Sequence, residues 1–502
     1  MNNKHFLLGY DVGSSSVKVS LLDAENNISI GSAFSPKEEM VIESPKPGWA
    51  EQHPGLWWGH LVKATQELIT KNLVDVNEIA GIGISYQMHG LVAVDNKKQV
   101  VRPSIIWCDS RAAEIGKKAF QKIGPRTCLK RLLNSPGNFT ASKLKWVKEN
   151  EPETFKKIDK IMLPGDYIAM KMTGEITTTQ SGLSEGILWD YQSNSVAALL
   201  LKHYGFSEDL IPKTKTSFNN FGELNDEAAE ELGLRKGTPV TYKAGDQPNN
   251  AFSLNVMRPG EIATTAGTSG VIYGIADQPN FDAQSRVNTF VHVNHEEENP
   301  RHGVLLCING TGILYRWIRQ NLMSGSLSYE EMNNKAMETA IGSDGIVILP
   351  FGNGAERILE NRNIGSAFLG IDFNRHGSAH LLRAAQEGIV FSMRYGFDIM
   401  KNMGVDAKTV KAGHANMFQS PLFREAFVNT TGTVLELYNT DGSEGAARGA
   451  GIGYGVYKTP EEAFEGLERL QVIEPDKEKS KAYETAYQRW YEQLGYQLEQ
   501  FE

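Results

Sequence analysis

The sequence predicts an α/β protein with more than one domain, and three observations carry that reading. Stretches of strand periodicity and stretches of helical periodicity alternate along the chain. Its 502 residues, at about 150 per folding unit, make two large domains or three ordinary ones. A strand, turn, strand arrangement at the start returns at Glu261 to Tyr273, so the chain opens twice in the same style. Gly/Ser/Thr turns also join unrelated hairpins, so coincidence stands beside duplication as an explanation.

Taken in order, Phe6 to Asp11 reads as a strand, Gly13 to Ser16 as a turn, and Val17 to Asp23 as a second strand with apolar residues at alternate positions. Leu56, Leu61, Leu68 and Leu73 recur at helical spacing, and a buried-strand pattern follows from Ile79 to Ser85. From Asp109 to Asn150 the pattern is helical and amphipathic, Lys143, Lys145 and Lys148 alternating with Leu144, Trp146 and Val147; most irregular insertions belong there. Val240 to Ala244 is a strand ending at Gly245-Asp246, with a helix through Asn249 to Val256. The second opening surrounds Gly267-Thr268-Ser269-Gly270. Helix-like Gly310 to Asn321, a polar loop at Phe351 to Ile364, a long helix through His380 to Asn402, and Val410 to Asn416 follow. Asp441 to Gly451 is dense in small residues, which suits a helix packed closely on a neighbouring backbone or on a nucleotide. The tail from Pro460 to Glu502 reads as a charged, helical, solvated surface.

Composition narrows the class. Hydrophobic residues make 40% of the chain and charged residues 22%, enough apolar material for a sizeable core, which excludes wholesale disorder. Lys and Arg number 51 against 60 Asp and Glu, a formal charge of −9 that argues against nucleic acid as a partner. Cys108, Cys128 and Cys307 share no metal-binding or redox spacing and fit a reducing compartment. No secretory apolar segment and no run near the roughly 18 residues of a membrane span occur, so the expectation is a cytoplasmic protein without a membrane partner. Monomer and homodimer both stay open.

Four groups of residues could carry chemistry. Asp11 ends a strand and precedes Gly13, Ser14, Ser15 and Ser16, whose backbone N–H groups and hydroxyls can face phosphate oxygens. A carboxylate beside phosphates needs a cation between them, so Asp11 would hold Mg²⁺ through its water shell; the competing reading is a plain turn. Gly267-Thr268-Ser269-Gly270 is a second donor-rich turn able to clamp the opposite side of a triphosphate. Asp246 follows a strand, where open α/β sheets place ligands, and could take a proton from a sugar hydroxyl or simply cap the next helix. Gln87-Met88-His89-Gly90 also ends a strand: His89 can hydrogen-bond a polyol and Met88 offers an apolar wall, although a lone His is more often structural. Trp107, Asp109 and Arg111 could line the same pocket or form an ion pair.

In order and spacing these segments resemble the FGGY family of carbohydrate kinases. The likeness runs from Gly9-Tyr10-Asp11-Val12-Gly13-Ser14-Ser15 through Pro47-Gly48-Trp49-Ala50-Glu51-Gln52, Gln87-Met88-His89-Gly90 and Trp107 to Arg111. It continues through Leu163-Pro164-Gly165-Asp166-Tyr167, Gly245-Asp246 and Gly267 to Gly270, ending at Gly445-Ala446-Ala447, and covers roughly the first 460 residues. The resemblance implies two actin-like ATPase (ribonuclease H-like) α/β domains flanking a central cleft, 1–254 binding sugar and 255–502 binding ATP. It implies ATP and Mg²⁺ as cofactors, Asp246 as base, and Asp11 beside the metal and phosphates, with Asp246 also near the metal. Met88, His89, Gln247, Trp107 and Asp109 would meet the sugar. Gly13, Ser14, Ser15, Gly267, Thr268, Gly413 and Asn416 would meet ATP.

Four departures from the family's xylulokinases stand out. Gln247-Pro248 follows the base where Asn is usual, and Ala412-Gly413-His414-Ala415-Asn416 replaces a run of three glycines. Gly354-Ala355-Glu356-Arg357 carries one residue more than Gly-Glu-Arg, and Trp107-Cys108-Asp109-Ser110-Arg111 differs from Trp-Asn-Asp-X-Arg. The resemblance points to a ketopentose, D-xylulose first, with ribulose, fuculose and gluconate as rivals; Met88-His89 speaks against glycerol, whose kinases carry Arg-Glu there. A non-catalytic actin-like sugar sensor is the rival from another class.

Overall fold

The computed structural model describes residues 5–72 and 74–501. Met1 to Lys4, Leu73 of the first helical pattern, and Glu502 at the end of the tail lie outside the described residues.

Two sheets organise the chain. The first has five strands in the order Val240–Gly245, Ile79–Tyr86, Phe6–Val12, Val17–Asp23, Ile28–Ser35. Phe6–Val12, Val17–Asp23 and Ile28–Ser35 form an antiparallel meander, and Ile79–Tyr86 and Val240–Gly245 add parallel strands beside the first. The second has seven, in the order Asn288–Val291, His302–Ile308, Gly270–Ala276, Ile262–Ala266, Thr409–Gly413, Val434–Tyr438, Arg469–Ile473. Within it Ile262–Ala266, Gly270–Ala276 and His302–Ile308 repeat the meander, and Thr409–Gly413 and Val434–Tyr438 repeat the parallel pair. The double opening in the sequence therefore reflects two sheets of one topology, the expected ribonuclease H-like pair. Helices Pro54–Asn72 and Pro164–Thr173 pack on the first sheet, and Ser378–Asn402 on the second.

After the last parallel strand of each sheet the chain enters a helix that reaches the other half. Asp246–Ser253 contacts strands Ile262–Ala266 and Gly270–Ala276, whereas Gly442–Tyr454 lies across strands Phe6–Val12 and Ile79–Tyr86. The two helices pack on each other, Gly445 so close to Ser253 that a Cβ would stand 2.6 Å from its side chain. The small residues of Gly442–Tyr454 let its backbone touch the sheet: a Cβ at Gly9 would meet Ser443 O at 2.0 Å, and one at Gly83 would meet Ala446 O at 1.9 Å. Of the two readings of that segment, close packing on a neighbouring backbone is the one the structure displays.

Three expectations change. The helix after Val240–Gly245 starts at Asp246 and ends at Ser253, not Val256. The insertion between Asp109 and Asn150, read as one amphipathic helical pattern, holds three helices, Ala113–Ile123, Pro125–Arg131 and Thr140–Asn150, and Lys143 is fully buried with its apolar neighbour Leu144. The tail is not only a solvated surface. Arg469–Ile473 is a strand, and helix Lys477–Glu499 buries Tyr483, Tyr487, Trp490 and Leu494 in the second core, Trp490 Nε1 donating to Ile348 O at 3.0 Å. Charged residues on the other face of that helix dominate its composition and conceal the i, i+4, i+7, i+11 stripe.

Candidate active site

The three parallel strands of the first sheet end on one edge, which is why residues far apart in sequence meet there. In register, Asp11 pairs with Ser85 and Gly245 with Tyr86, so Asp11, Gln87 to His89, and Asp246 emerge side by side. Ligands of α/β sheets bind at such carboxyl ends.

Asp246 opens its helix, and its carboxyl is pushed up to about 7 by burial and then by the charge of Asp11, against hydrogen bonds from Gln247 that pull it down. Asp11 accepts from Ser85 Oγ at 3.2 Å and is itself raised to about 6, by burial and by Asp441. Asp441 caps helix Gly442–Tyr454 through the N–H groups of Ser443 and Glu444, and pairs with Lys18. That leaves three carboxylates in mutual influence with one nearby cation already engaged, an excess of negative charge that fits an added Mg²⁺. No group of three or more His, Cys, Asp or Glu side chains converges as a direct chelate among the described residues. Asp11 would reach such an ion through its water shell, not as part of a direct chelate.

His89 sits at φ 62°, a conformation rare outside glycine and frequent at functional sites. Its Nδ1 lies 2.9 Å from Glu185 O; a carbonyl only accepts, so Nδ1 carries the proton and Nε2 is left as an acceptor. Burial, and then the charge of Lys143, lower its pKa to about 3, so the ring is neutral. Lys143 Nζ donates to His89 O at 2.8 Å and Ile106 O at 2.9 Å, tying the His89 and Trp107 loops together. Met88 is buried against Gly245.

Trp107 is 53% exposed and donates from Nε1 to Ser14 Oγ at 3.2 Å, which brings it to the Gly13–Ser16 turn. That turn is closed by Gly13 N–H to Ser16 O at 3.0 Å and held by Gln52, which donates to Ser14 O, and by Met40, whose N–H donates to Ser15 O. Asp109 stands apart. Its carboxylate accepts from Ala50 N at 2.7 Å and from Arg111, which also pairs with Glu51 and lies 3.8 Å over the Trp49 ring. It is the ion pair of the two sequence readings that the structure displays, with no side-chain oxygen turned to a ligand.

Across the molecule, Gly267 and Thr268 line a cavity of about 440 Å³ together with Asn416, Met417 and Ser420. The turn is pinned from behind: Gly312 N donates to Gly267 O at 2.9 Å and Ile313 N to Thr268 O at 3.1 Å. Gly413 ends its strand one residue before His414, and Ala415 N returns to Gly413 O at 2.8 Å, which folds the loop so that Asn416 faces the cavity. A site on the first sheet and a roomy cavity on the second are what a two-substrate enzyme needs.

Sequence reasoning missed Glu185 and Phe139, and named Arg357 only as part of the Gly354–Arg357 turn, with no role. Glu185 is buried beside Gly245 with Oε1 unpartnered, its carboxyl held well above the usual range by burial and by Asp246. Phe139 meets the His89 ring edge-on at 4.8 Å. Nothing in the local pattern marks Glu185 or Phe139, since their partners are distant in sequence.

Among known proteins, the chain is 29% identical over 469 residues to a xylulose kinase from Bacillus subtilis, covering 92% of this chain and 90% of that one. A crystal structure of a xyloylose kinase from Brucella ovis superposes with a TM-score of 0.88 at 26% identity, covering 97% and 98% of the two chains. A gluconate kinase from Lactobacillus acidophilus shares the fold, with a TM-score of 0.90 at 20% identity and 99% coverage of both. Matched over residues 6–253 by the N-terminal and over 262–453 by the C-terminal domain model of one family, the chain belongs to the FGGY family of carbohydrate kinases, phosphotransferases acting on a sugar hydroxyl.

Proposed function

We propose that this enzyme phosphorylates D-xylulose at its terminal hydroxyl, with ATP as donor, residues 1–254 holding the sugar and 255–502 the nucleotide. The observation that carries the reading is Asp246, a half-buried carboxylate at a strand end beside Met88 and the neutral, acceptor-competent His89. The xylulose kinases at 27–29% identity over nearly the whole chain support the choice of sugar.

In this reading His89 Nε2 accepts a hydrogen bond from one sugar hydroxyl, and Met88 and Trp107 wall the carbon chain. Gln247 bears on the sugar beside the base, and Asp109 acts at one remove by fixing the Trp107 loop. Asp246 takes the proton of the terminal hydroxyl as its oxygen bonds to the γ-phosphorus and the bond to the β-phosphate oxygen breaks. Its raised pKa makes it an adequate base near neutral pH. Asp11, with Asp246 close by, would hold Mg²⁺ through its water shell, and the ion would supply neutralisation of the phosphate charge. Gly13, Ser14 and Ser15 on one side and Gly267 and Thr268 on the other offer backbone and hydroxyl donors to phosphate oxygens, and Gly413 and Asn416 border the adenosine cavity. Three unpaired cysteines fit a cytoplasmic location.

The test is ADP release with ATP and Mg²⁺ against D-xylulose, L-xylulose, D-ribulose, L-ribulose, L-fuculose, gluconate and glycerol. Turnover on D-xylulose above all others, abolished in Asp246→Asn, is expected. A different preferred substrate overturns the choice of sugar, and undiminished Asp246→Asn overturns the base.

A further inference from the structure

Arg357 holds a half-buried cation to which no carboxylate and no carbonyl answers among the described residues. It opens the short turn Arg357–Leu359 in the second half of the chain. Its neighbour Glu356 spends both carboxylate oxygens on the N–H groups of Asn309, at 3.0 Å, and Gly310, at 3.1 Å, so the obvious counter-ion is committed elsewhere. The guanidinium instead lies 5.5 Å over the ring of Phe139, a residue of the first half that packs edge-on against His89. It also lies near Cys307, which pairs in register with Val271, the residue that follows the Gly267–Gly270 turn. Arg357 therefore stands between the turn assigned to phosphate and the histidine assigned to sugar.

A desolvated guanidinium with five donors and no acceptor is costly unless an anion completes it. The space it borders is where a phosphoryl group must travel if sugar and nucleotide bind as argued above. Resting on that reading, we propose that Arg357 is a further catalytic residue: it grips the equatorial oxygens of the phosphoryl group in flight and the phosphate of the product. The planar fork suits two phosphate oxygens at once, and developing charge on those oxygens is where such a cation lowers the barrier. Its burial also depresses its own pKa from the usual arginine value, and a bound phosphate dianion would reverse that cost.

The experiment compares wild type, Arg357→Gln and Arg357→Lys in turnover and, by calorimetry, in binding of D-xylulose, D-xylulose 5-phosphate and D-gluconate. For Arg357→Gln we expect kcat to fall about 100-fold or more and product affinity about tenfold or more, with the KM for free sugar within about threefold. Arg357→Lys should recover part of both losses, because it restores the charge without the fork. Arg357→Met, whose stem keeps the packing on Phe139, substitutes for Arg357→Gln at the same thresholds if the latter does not fold. Unchanged kcat and unchanged sugar-phosphate affinity overturn the proposal. So does loss of affinity for gluconate alone, which would make Arg357 a reader of substrate carboxylate. Sugar-phosphate binding needs no turnover, so a wild type inactive on every sugar sinks the functional reading while the binding comparison still decides the role of Arg357.

Discussion

Substituting Gly83 by Ala tests whether the crossing helix Gly442–Tyr454 sets the surroundings of Asp11. The added methyl would lie 1.9 Å from Ala446 O and 2.7 Å from its carbonyl carbon. Carbon–oxygen contacts close at about 3.3 Å, so the helix must retreat by about 1.4 Å; the obstacle is main chain, with no flexible end to swing aside. Overpacking of this kind costs about 1–3 kcal/mol, and a rigid obstacle places it at the top of that range. At about 2–4 °C per kcal/mol for units of this size, melting should drop by roughly 6–12 °C. A Cβ at Gly442 would stand 2.6 Å from Asp11 Oδ2, so the retreat opens the space beside that carboxylate. Displacements near 1 Å cost about 100-fold in rate, and a loss of tenfold or more in kcat is the expectation. Gly59→Ala, in helix Pro54–Asn72 with nothing within 4 Å of the new Cβ, is the control and should gain about 0.5–1 kcal/mol. Thermal unfolding by circular dichroism and steady-state kinetics read both variants. A Gly83→Ala enzyme that melts within about 2 °C of wild type and turns over normally would refute the reasoning.

Asp246→Asn should lose at least about 1,000-fold in kcat. Because the folded pKa of Asp246 is raised, its ionisation costs stability, the loss developing as pH rises from the unfolded value of about 3.9 toward about 7. Asp246→Asn should therefore melt no lower than wild type at pH 8, and a lower melting point in calorimetry would contradict this. The base works ionised, so kcat/KM should climb on the acid side to a plateau above about 7, reported as a property of the coupled Asp11–Asp246 pair; a flat profile from about pH 5 to 8 would remove Asp246 from the role. Arg111→Ala leaves the buried Asp109 without the cation it pairs with, whereas Glu51 keeps Arg102, and should cost about 3–5 kcal/mol in urea denaturation. Trp490→Ala should cost about 3–5 kcal/mol, whereas a solvated tail would lose almost nothing.

Much of the fold was legible because the central strands and long helices follow clean periodicities: Phe6–Val12, Ile79–Tyr86 and Ser378–Asn402 were all readable within a residue or two. The site residues at strand ends were legible for the same reason, since a strand followed by a small or acidic residue marks the edge where ligands collect. What escaped depends on distant partners. Lys143 looks solvated in a run of lysines, and only the carbonyls of His89 and Ile106, 54 and 37 residues away, make its burial tolerable. Arg357 is one charged residue in a polar loop until Phe139 and His89 are set beside it. The stripe at Tyr483, Tyr487, Trp490 and Leu494 was overshadowed by its charged flanks.

The crossing of Gly442–Tyr454 onto the first sheet also orders events at the ribosome. The strands that Phe6–Val12 and Ile79–Tyr86 contribute are synthesised early, and their fifth partner is complete at Gly245, yet the helix that covers one face of that sheet ends at Tyr454. At about 5–20 residues per second, the roughly 200 residues between them take about 10–40 s to emerge. Throughout that interval Gly9 and Gly83 face water or a chaperone instead of Ser443 and Ala446, so the first half of the nascent chain must wait for the last part of the second before it can close.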